Sequence, residues 1–277
     1  MKNNAKILLC TILVAAVALA VLPQTGAVAE KWKIVDDDDW CDEGWWNQSE
    51  HVCEVREITI KADWETITID GGVNGGISVE GWSKNEIRIR AKVKAWDRDD
   101  EDARETLEEI VIKTDRETIV AKGPKLRGGK RGWAVSFEVM VPKKSNLDLE
   151  TLNGGISIED VSGEIEAEAV NGGLKLSQLA GDVDVHTTNG GVSVELHGKA
   201  WQGRGLDAST TNGGVKVWFP EKYNAHLETG TVNGNVDFDF PIMVQGKISK
   251  RIKATLGDGG PKIRIVTTNG GVKLKQM

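Results

Sequence analysis

The chain predicts an all-β fold: a β-solenoid (β-helix-like) of NGG coils about 18–23 residues long, preceded by a β region with one short helix. Three observations lead there. The string Asn-Gly-Gly recurs at Asn74, Asn153, Asn171, Asn189, Asn212 and Asn269, with the variant Asn-Gly-Asn at Asn233. Each corner is followed by strict apolar/polar alternation, the period of a strand with one buried face. From Asn153 the corners are 18, 18, 23, 21 and 36 residues apart. A fixed repeat with near-identical corners is what stacked coils need, because like residues align from coil to coil. The last spacing is twice 18, as if one corner near Arg251 had lost its motif.

Each unit divides into turn, strand, turn, strand. The first strands place Ile156/Ile158, Leu174/Leu176, Val192/Val194, Val215/Val217, Val236/Phe238 and Val272/Leu274 on one face. The second strands contribute Ile165/Ala167/Ala169, Val183/Val185, Leu206/Ala208, Ala225/Leu227 and Ile263/Ile265. Asn-Gly is also the strongest short hairpin signal, since both residues tolerate φ > 0, so an antiparallel meander or sandwich is the alternative. In the stacked reading the asparagines exchange amide hydrogen bonds along the axis, and the glycine lets the chain turn sharply. Insertions at His197–Leu206 and Pro220–Asn224 bulge from single coils.

Ahead of the repeats, Val55–Ile60, Thr66–Ile69, Ile77–Val79, Ile87–Val93 and Val135–Val141 alternate as strands. Ala103, Leu107, Ile110 and Val111 recur at helical spacing behind an acidic run, which predicts an amphipathic helix over about 100–112. This half is expected to close one end of the coils and protect their edge. The layout is then a leader at 1–29, a Trp-rich disulfide segment at 30–54, the β region at 55–145 and the repeats at 146–277.

The leader is read from Lys2 and Lys6, the apolar run Ile7–Leu22, Pro23 and the small-x-small site Ala27-Val28-Ala29. That run is shorter than the ~20 residues that span a bilayer, and no later segment is apolar enough to do so. Removing the leader leaves Cys41 and Cys53, and two cysteines in an exported chain read as one disulfide. The chain carries 35 Lys+Arg against 42 Asp+Glu, a formal charge of −7. That balance argues against nucleic acid as a partner, since phosphate neutralisation needs clustered cations.

No residue set carries chemistry of its own. His51, His186, His197 and His226 lack the spacing of a metal site, and Asp36–Asp39 and Asp97–Asp102 lack the alternating pattern around Gly of a calcium loop. No Ser lies in G-x-S-x-G and no Gly-rich segment is a phosphate loop. No cofactor is expected and no catalytic residue is assigned. Of the 10 tryptophans, Trp32, Trp40, Trp45 and Trp46 read as an apolar plug around the disulfide. Trp201, in an insertion, and Trp218, one residue from inward Val217, read as the rings best placed to stack on sugars.

In order along the mature chain, Cys41…Cys53-Glu54-Val55-Arg56-Glu57, the helix near Ala103, VSFEVMVP at 135–142 and LDLETLNGGISIEDVSGEI at 147–165 precede the further corners. This combination resembles the bacterial "putative adhesin" family of β-strand-repeat proteins, a domain of unknown function. The resemblance implies an exported or membrane-associated protein and transfers no catalytic residue. The expected function is therefore a non-enzymatic cell-envelope protein, periplasmic, cell-surface or secreted, that binds envelope glycan or protein. The alternatives are a carbohydrate-active β-helix enzyme, marked by paired acids across a groove, and an envelope-stress regulator that binds a membrane partner.

Overall fold

The computed structural model describes residues 31–42, 50–126, 130–239 and 250–277. The expected leader, Trp45 and Trp46 lie outside the described residues. The chain begins with β1 (Lys33–Val35), α1 (Asp38–Asp42), β2 (Glu50–Lys61), β3 (Thr66–Asp70), β4 (Ile77–Trp82), β5 (Glu86–Asp97) and α2 (Asp100–Glu108). It continues with β6 (Val111–Asp115), β7 (Thr118–Lys122), β8 (Gly132–Pro142), β9 (Asn146–Thr151), β10 (Ile156–Glu159), β11 (Ser162–Ala169) and β12 (Leu174–Ser177). Then come β13 (Ala180–Asn189), β14 (Val192–Glu195), β15 (Gly205–Asn212), β16 (Val215–Phe219) and β17 (Ala225–Asn233). The last strands are β18 (Val236–Phe238), β19 (Arg251–Leu256), β20 (Lys262–Asn269) and β21 (Val272–Gln276).

These strands form two mixed sheets, and neither closes into a barrel. The first has the order β1-β2-β5-β8-β4-β10-β12-β14-β16-β21-β18, and the second β19-β17-β20-β15-β13-β11-β9-β3-β7-β6. From β4 to β18 and from β3 to β17 every pairing is parallel. The alternation explains the register. Ile77, Ile156, Leu174, Val192, Val215 and Val272 stand opposite one another on neighbouring strands. All are at most 2% exposed, and a one-residue slip would turn every one of them to solvent. Each such side chain stabilises the fold by roughly 1.5–3 kcal/mol relative to exposure, and the core lies between the sheets.

The parallel run includes β3, β4 and β8, which precede residue 146, with β8 parallel to β4; beyond β8, strands β5, β2 and β1 extend the first sheet in antiparallel fashion. Helix α2 stops at Glu108 rather than about 112. Asp99 caps it by accepting a hydrogen bond from the Asp102 amide, and three acids occupy its first turn, as the helix dipole favours. The β-branched run Ile110-Val111-Ile112 suits extended backbone better, and β6 starts there.

The 36-residue spacing does not hide a lost corner. Strand β19 pairs antiparallel with β17, and the chain turns back through Gly257, Gly259 and Gly260, all at positive φ. The final strands then enter the stack between earlier ones: β20 lies between β15 and β17, and β21 between β16 and β18. In space the corners run Asn74, Asn153, Asn171, Asn189, Asn212, Asn269, Asn233.

Candidate binding surface

The corner is built from three residue types. Each asparagine amide donates to the carbonyl oxygen of the preceding asparagine: Asn153 to Asn74 (3.2 Å), Asn171 to Asn153 (2.8 Å) and Asn189 to Asn171 (2.9 Å). The chain of bonds continues from Asn212 to Asn189 (2.9 Å), Asn269 to Asn212 (2.8 Å) and Asn233 to Asn269 (2.8 Å). Each bond passes along the stack because strands are about 4.8 Å apart. The first glycine of each corner packs its α-carbon against the preceding corner. A Cβ on Gly172, Gly190 or Gly213 would overlap the carbonyl oxygen of Gly154, Gly172 or Gly190.

This corrects the expected reason for these glycines. Among the described residues, no first glycine of a corner has positive φ; left-handed conformations occur at Asp160, Gln178 and Lys222, on the opposite turn of the coil. Glycine is needed at the corner for close approach rather than for a left-handed turn.

Threonine is the component that sequence reasoning missed. The hydroxyls of Thr151, Thr187, Thr210, Thr267 and Thr231 donate to the carbonyls of Gly75, Gly172, Gly190, Gly213 and Gly270, at 2.6–2.8 Å. All five threonines are at most 5% exposed. The signal is a Thr two residues before the corner asparagine. At the Asn171 corner that position is Ala169, and Val73, Leu152 and Val170 form an apolar stripe beside the asparagines.

The outward faces differ in charge. On the second sheet Asp148, Glu166, Asp184 and Asp207 stand in one cross-strand row, and Asp70, Glu150 and Glu168 in the next. Burial raises the Glu150 carboxyl, and Asp70, Asp148 and Glu168 raise it further. Asp184 is also raised, by burial first and then by Asp207, with Arg264 opposing; Arg264 itself pairs with Asp207 at 2.5 Å. On the first sheet Trp218 is half-buried among outward positions, with Glu195 and Lys275 as its register neighbours.

Trp201 does not reach solvent. Its insertion folds back over the stack, the ring is 5% exposed and its Nε1 donates to the Gly181 carbonyl at 3.0 Å. A ring covered in this way offers no face to a sugar, so the expectation for Trp201 is overturned. Tyr223, in the other insertion, is 4% exposed, packs edge-on to Phe219, and burial pushes its hydroxyl up to about 12.

Cys41 and Cys53 are bonded and tie α1 to β2. Trp40 lies 5.0 Å from both the Arg90 and Lys92 cations, and Asp37 pairs with Arg90. The Trp40 amide, then Arg90, hold the Asp37 carboxyl below its usual range. Among the histidines, His186 meets Ser209 at 3.1 Å and His197 meets Glu195 at 3.2 Å. Among the described residues, no cluster of three or more His, Cys, Asp or Glu is arranged to hold a metal.

A family model described as "Toastrack DUF4097" matches residues 134–275, just over half of the chain. The chain belongs to the Toastrack DUF4097 family. It is also similar to the solved structure of a "putative cell adhesion protein" from Clostridium sporogenes: 13% identity, TM-score 0.43, covering 83% of this chain and 100% of that one. A "putative adhesin" from Bacteroides fragilis is 12% identical with TM-score 0.34, over 82% of this chain and 97% of that one. A "putative adhesin" from Parabacteroides merdae is 10% identical with TM-score 0.37, over 80% and 95%. No curated protein matches the chain. Among the described residues, no helix of this Toastrack chain is long and apolar enough to cross a membrane.

Proposed function

We propose that this Toastrack chain is an exported, non-enzymatic protein of the bacterial cell envelope, an NGG-cornered β-solenoid that works as an adhesin-like binding or scaffold surface. The observation that carries the reading is the unbroken asparagine ladder from Asn74 to Asn233. A ladder of side-chain bonds added to parallel backbone pairing holds two outward faces in fixed register from coil to coil, which suits an extended ligand. Export is supported by the leader-like residues 1–29 and by the Cys41–Cys53 bond, which persists in oxidising compartments. In this reading residues 30–54 form a stapled segment, 55–145 close one end, and 146–277 carry the binding coils, with the exposed part of Trp218 as a stacking position.

Co-sedimentation with purified peptidoglycan and insoluble polysaccharides, with assay of sugar released to the supernatant, tests this. Binding without release, weakened by Trp218→Ala, is the expected result. Release of sugar would replace the reading with a carbohydrate-active enzyme, and absence of sedimentation with every polymer would remove the glycan-binding surface.

A further inference from the structure

The outward positions of the first sheet form two cross-strand rows. One reads Ser78, Ser157, Lys175, Ser193, Lys216, Lys273 and Asp237 from β4 to β18. The other reads Glu80, Glu159, Ser177, Glu195, Trp218 and Lys275. Lys216 and Lys273 are direct register partners on hydrogen-bonded strands, and Lys275 stands beside Trp218. Lys175, Lys216, Lys273 and Lys275 are all exposed. None makes an ion pair with a described residue. Like charges directly opposite on adjacent strands repel, so Lys216 and Lys273 form a like-charged pair in this row, which Asp237, the other register partner of Lys273, borders at the β18 end. Within a chain of net charge −7 this is a local concentration of positive charge.

We propose that this row, with Trp218, is the binding site for a linear anionic polysaccharide, its carboxylates on the lysines and one sugar face on the indole. The proposal rests on the binding-surface reading above and names its ligand class. The geometry favours a linear polyanion laid along the stacking axis. Lysines on β12, β16 and β21 span three strand steps, roughly 14 Å at ~4.8 Å per step, and an extended glycan repeats its charge on a similar scale. A planar anionic surface such as a membrane would meet both rows at once, and the second row also holds Glu80, Glu159 and Glu195, which it would repel. The acidic rows of the opposite sheet orient the chain so that the lysine face meets the polyanion.

The test is affinity electrophoresis and titration of the full chain with polygalacturonate, with pullulan as the neutral control and phosphatidylglycerol vesicles as the membrane control. The wild type should bind polygalacturonate, more weakly as salt rises. Lys216→Glu/Lys273→Glu should weaken that binding by about tenfold or more, and Trp218→Ala should weaken it further. Lys113→Glu, an exposed charge on the other sheet, should leave it unchanged. Equal melting temperatures of the variants would show that folding is intact. Polygalacturonate binding that survives the double charge reversal, or vesicle binding in its place, overturns the assignment. If peptidoglycan sedimentation persists while polygalacturonate binding is absent, this ligand class fails and the broader surface reading stands.

Discussion

Each coil makes two turns, and they are held by different physics. At the corner, Asn, Gly and buried Thr recur, and each contact is made to the neighbouring coil: amide to amide, hydroxyl to carbonyl, α-carbon to carbonyl. At the opposite turn the residues vary, the length runs from two residues at Asp160-Val161 to nine between β14 and β15, and left-handed backbone is supplied by Asp160 and Gln178. Regularity therefore belongs to the edge where side chains bond along the stack. Variation is tolerated where a turn need only reverse its own chain. Insertions placed at the variable edge, Trp201 and Tyr223 among them, fill space over the core without disturbing the ladder.

The largest effect that can break this comparison is a Cβ at the corner. Gly190→Val places its branch against the Gly172 carbonyl, the acceptor of the Thr187 hydroxyl. Backbone must shift on both sides, and a loss of at least about 4 kcal/mol is expected in chemical denaturation, the range of severe core defects. The matched pair is Gly190→Ala at a first glycine and Gly155→Ala at a second one. The Cβ of Gly155→Ala would lie 3.2 Å from the Gly173 carbonyl, and a loss of about 1 kcal/mol or less is expected. Equal losses for the two alanine variants would show that close stacking at the first glycine is not what the corner requires.

Next in size is the buried hydroxyl. Thr210→Val keeps the shape and leaves the Gly190 carbonyl without its side-chain donor, which should cost about 1–3 kcal/mol. The reciprocal change is Ala169→Thr, which supplies a donor at the one corner between Asn153 and Asn269 that lacks it. A gain of about 0.5–1 kcal/mol by thermal denaturation is expected, and a loss instead would mean that this corner is packed differently from its neighbours. At the opposite turn, Gln178→Gly relieves a left-handed residue at φ 53° and should stabilise by up to about 1 kcal/mol. The same replacement at a corner asparagine would remove two ladder bonds and destabilise.

Much of this architecture was legible beforehand. The inward residues from Ile156 to Leu274 follow from period two alone, since one face must be buried. The corner positions follow from the recurrence of Asn-Gly-Gly, but their cause does not: the same letters serve a left-handed hairpin and a close stack, and only the neighbouring coil distinguishes them. The threonines were visible two residues ahead of the corners, yet a buried hydroxyl has no signature until its acceptor is known. Trp201 was misread because an insertion is polar on average, and nothing in its local pattern shows that it folds back to Gly181. The entry of β20 and β21 between older strands is invisible to spacing, because a coil has the same length wherever it is inserted. For the proposed binding surface, Trp218 was reachable by alternation, whereas the alignment of Lys216 with Lys273 depends on that out-of-order insertion.

The smallest effect separates the uncharged ladder from the charged face beside it. Asparagine amides do not titrate, so the corner contributes the same stability at every moderate pH. Glu150 and Asp184 do titrate, and both are raised by burial and by neighbouring carboxylates. The folded state then holds their protons more tightly than the unfolded chain does. Their contribution is most favourable below the ordinary carboxylate range and is lost as pH rises through the raised values. Asp37, lowered by the Trp40 amide and Arg90, and Glu228, lowered by Lys262, have the opposite sign: their stabilisation is present above the ordinary range and is lost as pH falls. Mild acidification from neutrality should therefore raise stability slightly before stronger acid lowers it. The burial that raises these two groups is only partial and both keep much of their surface in solvent, so Glu150→Gln and Asp184→Asn should each gain only about 0.5 kcal/mol or less at neutral pH, and the gain should shrink in high salt. If instead the two variants lose stability, the carboxylates hold the coils together as the asparagines do, and the division between a neutral structural edge and a charged outward face fails.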